Sequence, residues 1–213
     1  MEDVRKVVSI CSHQPGCIVL SKLAHSIDEP LYVVGGAVRD LLIGRPARDW
    51  DFAGPAAMQV AEKFAEKHNS RVVMLHEDQP TARVPVPSDK DTHDMYDFCD
   101  LRAETLEADL RGRDFTINAV AYNIREPGLI DPLDGVADVR EGIVRAIGRE
   151  NLQDDPIRCL RAYRFYCELG FEIEPQTRDW IRDIAPALQD CPGERIGAEL
   201  HSLMYPPRVA KAF

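Results

Sequence analysis

The sequence predicts an α/β (α+β) fold, with a mixed α/β domain over residues 1–150 and an all-helical domain over residues 151–213. Two observations lead to this prediction. Up to residue 147, short β-rich runs alternate with segments in which apolar residues recur at helical spacing. From residue 151 the spacing is helical to the end of the chain. The apolar residues that follow this spacing are Leu160, Tyr163, Phe165, Leu169, Trp180, Ile184 and Leu188.

Each element of the first domain follows from spacing or from turn residues. Helices are expected at residues 1–28 (one or two short ones), 37–43, 56–69 and 105–123. Strands are expected at residues 31–34, 49–52, 71–75, 95–101 and 143–147. Gly44 closes the helix at 37–43, since glycine commonly follows the last helical residue. Residues 80–92 contain prolines, which do not suit a central strand, so a loop or a sheet edge is expected there.

Composition and charge restrict the function classes. The chain has 213 residues, 45% hydrophobic and 29% charged, which is enough for one core with a small second domain. Its formal net charge of −10 argues against a large nucleic-acid-binding surface on these residues. The six cysteines form no C-x-x-C pair, and the N-terminus has neither the basic nor the apolar part of a signal peptide. We therefore expect a soluble cytoplasmic protein that contacts no membrane, and its oligomeric state stays open.

The first motif is a pair of glycines. Gly35 and Gly36 lie where a predicted strand gives way to a helix, and such a turn lets backbone N–H groups approach a ligand closely. Arg39 adds a guanidinium fork suited to phosphate oxygens. An ordinary tight turn between a strand and a helix explains the two glycines equally well.

The second motif is a pair of aspartates, Asp49 and Asp51, one helix further along the chain. On a strand, residues i and i+2 point to the same face, with α-carbons about 6–7 Å apart. Two carboxylates on one face can bind a pair of Mg²⁺ ions, because this cation prefers oxygen ligands. Taken alone, such a pair more often marks a solvated turn. Its position one helix after the glycine turn is what favours a metal site.

The order of glycine turn, helix and D-x-D strand resembles the nucleotidyltransferase fold of DNA polymerase β. Later segments narrow the resemblance to class II CCA-adding tRNA nucleotidyltransferases and bacterial poly(A) polymerases, in which the nucleotidyltransferase head is followed by a helical neck. The similar segments, in order and spacing, are residues 35–40 (GGAVRD), 113–119 (RDFTINA), 131–135 (DPLDG), 155–158 (DPIR) and 194–196 (ERI). Five motifs in the same order make the resemblance specific.

The resemblance implies a reaction and a set of residues. The reaction is the template-independent transfer of C and/or A from CTP and ATP to the 3′ end of tRNA. Asp49 and Asp51 would hold two Mg²⁺ ions as catalytic residues, with Asp97 as a third metal-binding carboxylate, although Asp100 lies close in sequence. The nucleotide-binding residues would be Gly35, Gly36, Arg39, Arg113, Asp114, Asn118, Asp155, Arg158 and Arg161.

Asp155 and Arg158 are predicted to select the base. Three residues apart on a helix, their side chains share a face. An ionised Asp155 only accepts hydrogen bonds and Arg158 only donates them, which matches the amino donor and ring-nitrogen acceptor that cytosine and adenine present side by side. Uracil and guanine present the reverse order. In the alternative interpretation, Asp155 caps a helix that begins with Pro156, and Arg158 is a surface residue.

Two departures from the family pattern bear on the product. Gly112 replaces the first of two arginines that often precede Asp114 in the family. Residues 102–109 connect strand and helix directly, where complete CCA-adding enzymes usually have a long flexible loop, and this resembles the enzymes that stop after adding CC. A poly(A) polymerase and a non-catalytic nucleotide- or RNA-binding module remain alternatives. Residues 208–213 look like the start of a further helix, so we expect the chain to end before the family's body and tail domains.

Overall fold

The structure, a computed structural model, describes residues 2–47, 49–75, 80–89 and 92–204. The chain divides into two compact units. Residues 1–110 and 118–132 form the first unit, and residues 111–117 and 133–213 form the second. The helix expected at residues 208–213 lies outside the described residues.

The helices and strands alternate along the first two thirds of the chain, as the sequence predicts. The α-helices are α1 (Glu2–His13), α2 (Pro15–Ile27), α3 (Gly36–Leu42), α4 (Ala57–Lys67), α5 (Leu106–Arg111), α6 (Gly135–Glu141), α7 (Arg149–Asp154), α8 (Ile157–Leu169), α9 (Pro175–Ile184) and α10 (Gly193–Met204). The strands are β1 (Tyr32–Val34), β2 (Asp49–Gly54), β3 (Val73–Met74), β4 (Thr81–Asp89), β5 (Thr92–Asp100), β6 (Ala121–Asn123), β7 (Gly128–Ile130), β8 (Ile143–Val144) and β9 (Glu172–Ile173). None of the helices in the described part of the chain has the length and apolar character needed to cross a lipid bilayer.

The first unit contains a seven-stranded mixed sheet in the order β3-β4-β5-β2-β1-β6-β7. Strands β2 and β5 are parallel, whereas the other neighbours are antiparallel. One face carries an aromatic core in which Phe52 stacks on Phe98 and Phe64 of α4 packs against Tyr96, with ring centroids 5.1 and 4.9 Å apart. Because side chains alternate along a strand, the odd-numbered residues of β2 and β5, Asp51 among them, point to the opposite face.

One prediction about the extent of an element agrees in part, and another is wrong. The stretch at 80–92, expected as a loop or a sheet edge, contains β4 (Thr81–Asp89), which pairs with β5 and forms an edge of the sheet beyond Arg83. The two prolines of β4, Pro85 and Pro87, lie beyond Arg83, which is the last residue of β4 that β3 pairs with. This part of the strand therefore tolerates the missing N–H groups. The single helix expected over 105–123 ends at Arg111. A short 3₁₀ turn at residues 116–118 and strand β6 follow, because β6 pairs with both β1 and β7.

The second unit is mostly helical, with α8 packed on α7 and α10. It also contains the parallel pair β8–β9, so the stretch predicted as entirely helical includes one two-residue strand. A partly buried polar network supports this pair. Thr116 donates to Asp138, whose carboxylate also accepts from Arg145, and Arg145 donates to Glu174. The domain boundary near residue 150 stays a prediction. In the structure, residues 133–150 belong to the second unit, since β8 pairs with β9.

Candidate functional site

The predicted metal ligands lie on the face of the sheet opposite the aromatic core. Asp49 and Asp51 are successive residues on this face of β2, and the buried Trp50 lies between them in sequence. In the parallel register between β2 and β5, Asp51 lies directly opposite Asp97. Residues opposite each other on adjacent strands point to the same side. The strand pairing therefore places all three predicted carboxylates on one face.

The third carboxylate already has a cationic partner. Arg83 lies opposite Asp97 on β4 and donates to both of its carboxylate oxygens, from Nε to Oδ1 over 2.7 Å and from Nη2 to Oδ2 over 2.6 Å. The hydrogen bond to Asp97, followed by the negative charges of Asp97, Asp49 and Asp51, raises the pKa of Arg83, although burial opposes this rise. Within the described ranges, no three His, Cys, Asp or Glu side chains are placed to hold one metal ion together.

Asp100, the alternative to Asp97, has a different position. Its carboxylate accepts a hydrogen bond from the backbone N–H of Met58 over 3.2 Å, in the first turn of α4. The residue before that helix, Ala56, has no side chain that can cap it. Asp100 thus satisfies a donor at the start of α4, and Asp97 is the residue of β5 that lies beside Asp51.

The glycine turn forms as predicted, but Arg39 points into the protein. Gly35 has a φ of 70°, a value that favours glycine, and ends β1 just before α3. Arg39 is only 7% exposed. Its guanidinium donates to Asn118 over 2.8 Å and to Asp40 over 2.8 and 3.0 Å. In this structure Arg39 therefore joins the glycine turn to the 3₁₀ segment that contains Asn118, and its contact with a phosphate stays a prediction.

In the second unit, Asp114 is a buried, hydrogen-bonded residue. It is 6% exposed, and one carboxylate oxygen accepts the backbone N–H of Phe115. The other oxygen accepts two hydrogen bonds from Arg161 on α8, at 2.7 and 2.9 Å. Burial lowers the pKa of Arg161, but the charge of Asp114 and the hydrogen bond to it outweigh this effect and raise the pKa. Arg161 also lies 3.5 Å from a carboxylate oxygen of Glu199 on α10.

Asp155 and Arg158 have separate partners. The carboxylate of Asp155 accepts a hydrogen bond from Arg195 on α10 over 2.8 Å. Arg158 donates to the backbone carbonyls of Gly112, Arg113 and Asn151, at 3.1, 3.3 and 2.9 Å. The capping interpretation is not supported, because the carboxylate of Asp155 is used by Arg195 and only its backbone carbonyl takes part in the helix start. Arg158 thus holds the 112–113 turn against α7, whereas Asp155 ties the start of α8 to α10.

The comparison with protein families decides the identity of the fold. Residues 31–145, more than half of the chain, match the model described as the poly A polymerase head domain. The chain belongs to this family. Residues 170–213 match a second model, described as the probable RNA- and SrmB-binding site of polymerase A.

Members of the poly A polymerase head family that resemble the chain include enzymes of tRNA maturation. A CC-adding tRNA nucleotidyltransferase from Synechocystis is 41% identical over 179 residues, which is 83% of this chain and 42% of that protein. An A-adding tRNA nucleotidyltransferase from Deinococcus radiodurans is 38% identical over 84% of this chain and 41% of its own length. The chain therefore spans less than half the length of these two relatives.

A solved structure agrees with the fold. The CCA-adding enzyme of Thermotoga maritima, complexed with tRNA-CCA, superposes with a TM-score of 0.84 and 31% identity, over 98% of this chain and 52% of that one. This likeness confirms the nucleotidyltransferase head that the motif order predicts.

The sequence analysis missed two residues that contact the predicted site or its turn, and it gave a third such residue no role. Arg83 lies in the stretch expected to be a loop or a sheet edge, and nothing in the sequence suggested it as a partner for Asp97. Asn151 donates to the carbonyls of Arg111 and Arg113 from a helix whose spacing carries no functional signal. Arg195 stands within the ERI motif, which was the available signal. The arginine spacing at 158, 161 and 164 predicted a basic strip, but Arg164 pairs with Glu168 and Glu199.

Proposed function

We propose that the chain is the catalytic part of a template-independent tRNA nucleotidyltransferase, which adds C and/or A from CTP and ATP to the 3′ end of tRNA in the cytoplasm. The observation that carries the proposal is the placement of Asp49 and Asp51 on one face of β2, with Asp97 opposite Asp51. A sheet face with adjacent carboxylates is suited to the metal-assisted transfer of a nucleotidyl group.

The donor set fits a divalent cation. Mg²⁺ in enzymes that act on nucleoside triphosphates is usually held by one or two carboxylates together with phosphate oxygens. Asp49 and Asp51 supply the two carboxylates, and we propose that they hold two Mg²⁺ ions. When bound, such ions lower the pKa of an attacking hydroxyl and neutralise charge on the triphosphate. No side chain is then required as a general base for the 3′-hydroxyl.

Nucleotide selection is assigned to the second unit. Asp155, oriented by Arg195, offers only acceptors, and Arg158 uses three of its five N–H donors on backbone carbonyls among the described residues. Donors therefore remain on Arg158 for the ring-nitrogen acceptor of cytosine or adenine. Leaving a buried polar group of the wrong base unsatisfied costs about 1–3 kcal/mol, which is enough for discrimination.

The number of nucleotides added is proposed from the connection between β5 and α5. Only residues 101–105 lie between the two elements, so the long loop of complete CCA-adding enzymes has no counterpart here. The CC-adding relative from Synechocystis supports the same conclusion. We therefore propose that addition stops after CC. The second candidate is poly(A) synthesis, which the description of the matching family model favours.

Two measurements test these proposals. The first is equilibrium binding of CTP, ATP, UTP and GTP with Mg²⁺ by this chain and by Asp155→Ala. We expect tighter binding of CTP and ATP, and loss of that preference in the variant. Equal binding of all four nucleotides by the unmodified chain would contradict base selection by Asp155.

The second measurement is extension of a tRNA that lacks its CCA end, with single-nucleotide resolution of the product. Products two nucleotides longer, made from CTP alone, support CC addition. Long products made from ATP alone identify a poly(A) polymerase instead. Nucleotide binding with no extension of the tRNA would identify a non-catalytic module.

A further inference from the structure

Arg83 lies on the same face of the sheet as Asp51 and Asp97 and has no role in the proposed reaction. Three charged side chains form one row across adjacent strands of the first unit: Arg83 on β4, Asp97 on β5 and Asp51 on β2. Neighbouring strands lie about 4.8 Å apart, so the α-carbons of Arg83 and Asp51 are separated by about 10 Å. A positive charge thus stands in the same row as the proposed metal ligands.

The contact between Arg83 and Asp97 uses both oxygens of the carboxylate. The two hydrogen bonds are 2.7 and 2.6 Å long, in the parallel fork geometry that makes arginine–carboxylate pairs strong. Asp97 is well covered, with 16% of its side chain exposed, whereas Arg83 is 39% exposed. To become a metal ligand, Asp97 would have to give up at least one of these hydrogen bonds.

The charges in this row also favour an Asp97 that is bound to Arg83. The guanidinium of Arg83 is positively charged and lies 2.6 Å from Oδ2 of Asp97, in the same row as Asp51. Because electrostatic attraction is mutual, Arg83 offsets part of the negative potential that would attract a divalent cation to Asp49 and Asp51.

We propose that Arg83 holds Asp97 out of the metal site of the nucleotide-free protein, so that Asp49 and Asp51 alone bind a divalent cation weakly until a triphosphate adds its oxygens. Arg83 is then a positioning residue that limits the number of protein ligands to two. The inference rests on the proposed function, since it assumes a metal site at Asp49 and Asp51.

The test is a titration of the nucleotide-free chain with Mn²⁺, in which electron paramagnetic resonance measures the free ion. Arg83→Gln removes the charge and leaves Asp97 able to turn toward Asp51. We expect the affinity for Mn²⁺ to rise about tenfold, because the released carboxylate of Asp97 adds a third oxygen ligand to those of Asp49 and Asp51. Weaker binding would overturn the proposal, because Arg83 would then be orienting Asp97 as a ligand. Unchanged binding would overturn it as well, because Arg83 would then not restrain Asp97.

A double variant identifies the group that Arg83 holds. In the Arg83→Gln, Asp97→Asn protein we expect the gain to disappear, because the carboxylate that was released is gone. A gain that persists would mean that Arg83 acts without Asp97, which contradicts the proposal. The matched control is Arg125→Gln, which breaks an arginine–aspartate pair with Asp28 in the same unit. This control should change the affinity less than twofold, and a tenfold gain there would also overturn the proposal.

Two further variants distinguish failure of the inference about Arg83 from failure of the proposed metal site. Asp51→Asn should abolish Mn²⁺ binding, and if it binds like the parent chain, the proposed metal site has failed regardless of Arg83. Loss of binding in Asp51→Asn without any gain in Arg83→Gln leaves the function standing and removes the inference. Should Arg83→Gln fail to fold in a thermal melt, Arg83→Lys replaces it. Lysine keeps the charge but cannot make the two-pronged contact, and an affinity no higher than that of the parent would again overturn the proposal.

Discussion

Arg195 on α10 donates a hydrogen bond to the carboxylate of Asp155, 2.8 Å away, and these side chains are 52% and 27% exposed. The hydrogen bond to Asp155 raises the pKa of Arg195. Asp155 lies between α7 and α8, so the pair ties the start of α8 to α10 within the second unit. An ion pair this exposed adds little to stability. The pair instead fixes the direction of the Asp155 carboxylate, which is proposed to recognise the base.

Arg195→Gln is predicted to weaken base selection without unfolding the protein. Without its cationic partner, the Asp155 carboxylate is free to rotate, and we expect the preference for CTP and ATP over UTP and GTP to fall about tenfold, equivalent to one charge-assisted hydrogen bond. The melting temperature should change little. Equilibrium binding of the four nucleotides measures the preference. Arg182→Gln, which breaks an exposed pair with Asp179, is the control and should leave the preference intact.

Arg158→Lys is predicted to loosen the 112–113 turn. Lysine keeps the charge, but one ammonium group cannot reach three carbonyls as the guanidinium of Arg158 does. We expect about tenfold weaker binding of all four nucleotides and faster hydrogen exchange at Arg113 and Asp114. Arg178→Lys is a matched control, since Arg178 donates to a single carbonyl, that of Ile173. Unchanged exchange in Arg158→Lys would show that the turn does not depend on this contact.

The parts of the site that are local in sequence could be predicted. The alternation in β2 sets Asp49 and Asp51 on one face because the side-chain period of a strand is two. The turn at Gly35 was expected since a glycine pair followed by helical spacing has few other solutions. The register of β2 against β5 is a long-range property, so Asp97 was a candidate with Asp100 as a rival until the pairing placed it opposite Asp51.

The contacts that the sequence analysis missed are non-local. The pairing of Arg83 with Asp97 depends on the register of β4 against β5, whereas the prolines of this stretch predicted only a loop or a sheet edge. The helix expected over 105–123 fails for a similar reason, because β6 forms only when β1 and β7 are beside it. Local sequence preference predicts each element by itself, whereas pairing with distant strands decides whether a segment becomes a helix, a loop or a strand.

Asp100→Ala is predicted to lower the stability of the protein, whereas Asp51→Asn is predicted to lower the rate of nucleotide transfer. Asp100 satisfies the N–H of Met58 in α4, so its removal should lower the free energy of unfolding by about 1 kcal/mol and leave nucleotide transfer unchanged. Asp51→Asn should keep the stability and reduce transfer at least about a thousandfold, because a proposed metal ligand is lost. Urea unfolding and primer extension measure the two effects. Equal loss of transfer in both variants would contradict the assignment of Asp100.

The free energy of unfolding is predicted to fall above pH 9 because of two buried thiols in the first unit. Burial raises the pKa of Cys11 from 9.0 to about 12, and burial raises that of Cys17 further. Each folded-state pKa lies above the value in the unfolded chain, so the stabilisation is complete below pH 9 and is lost as the pH rises toward the folded-state values. In that window each thiol contributes a slope of about 1.4 kcal/mol per pH unit.

Urea unfolding at pH 8, 9.5 and 10.5 measures this slope. The Cys11→Ala, Cys17→Ala double variant should be less stable at pH 8, since both side chains fill the core, yet it should lose less stability per pH unit than the parent chain. Val7→Ala, which empties a fully buried position of α1 without removing an ionisable group, is the control and should keep the parent's slope. If the double variant and the parent chain lose stability in parallel, the alkaline decline comes from other groups. Tyr96 is the first to examine, because burial raises its pKa to about 12 despite the opposing hydrogen bond from Gln14.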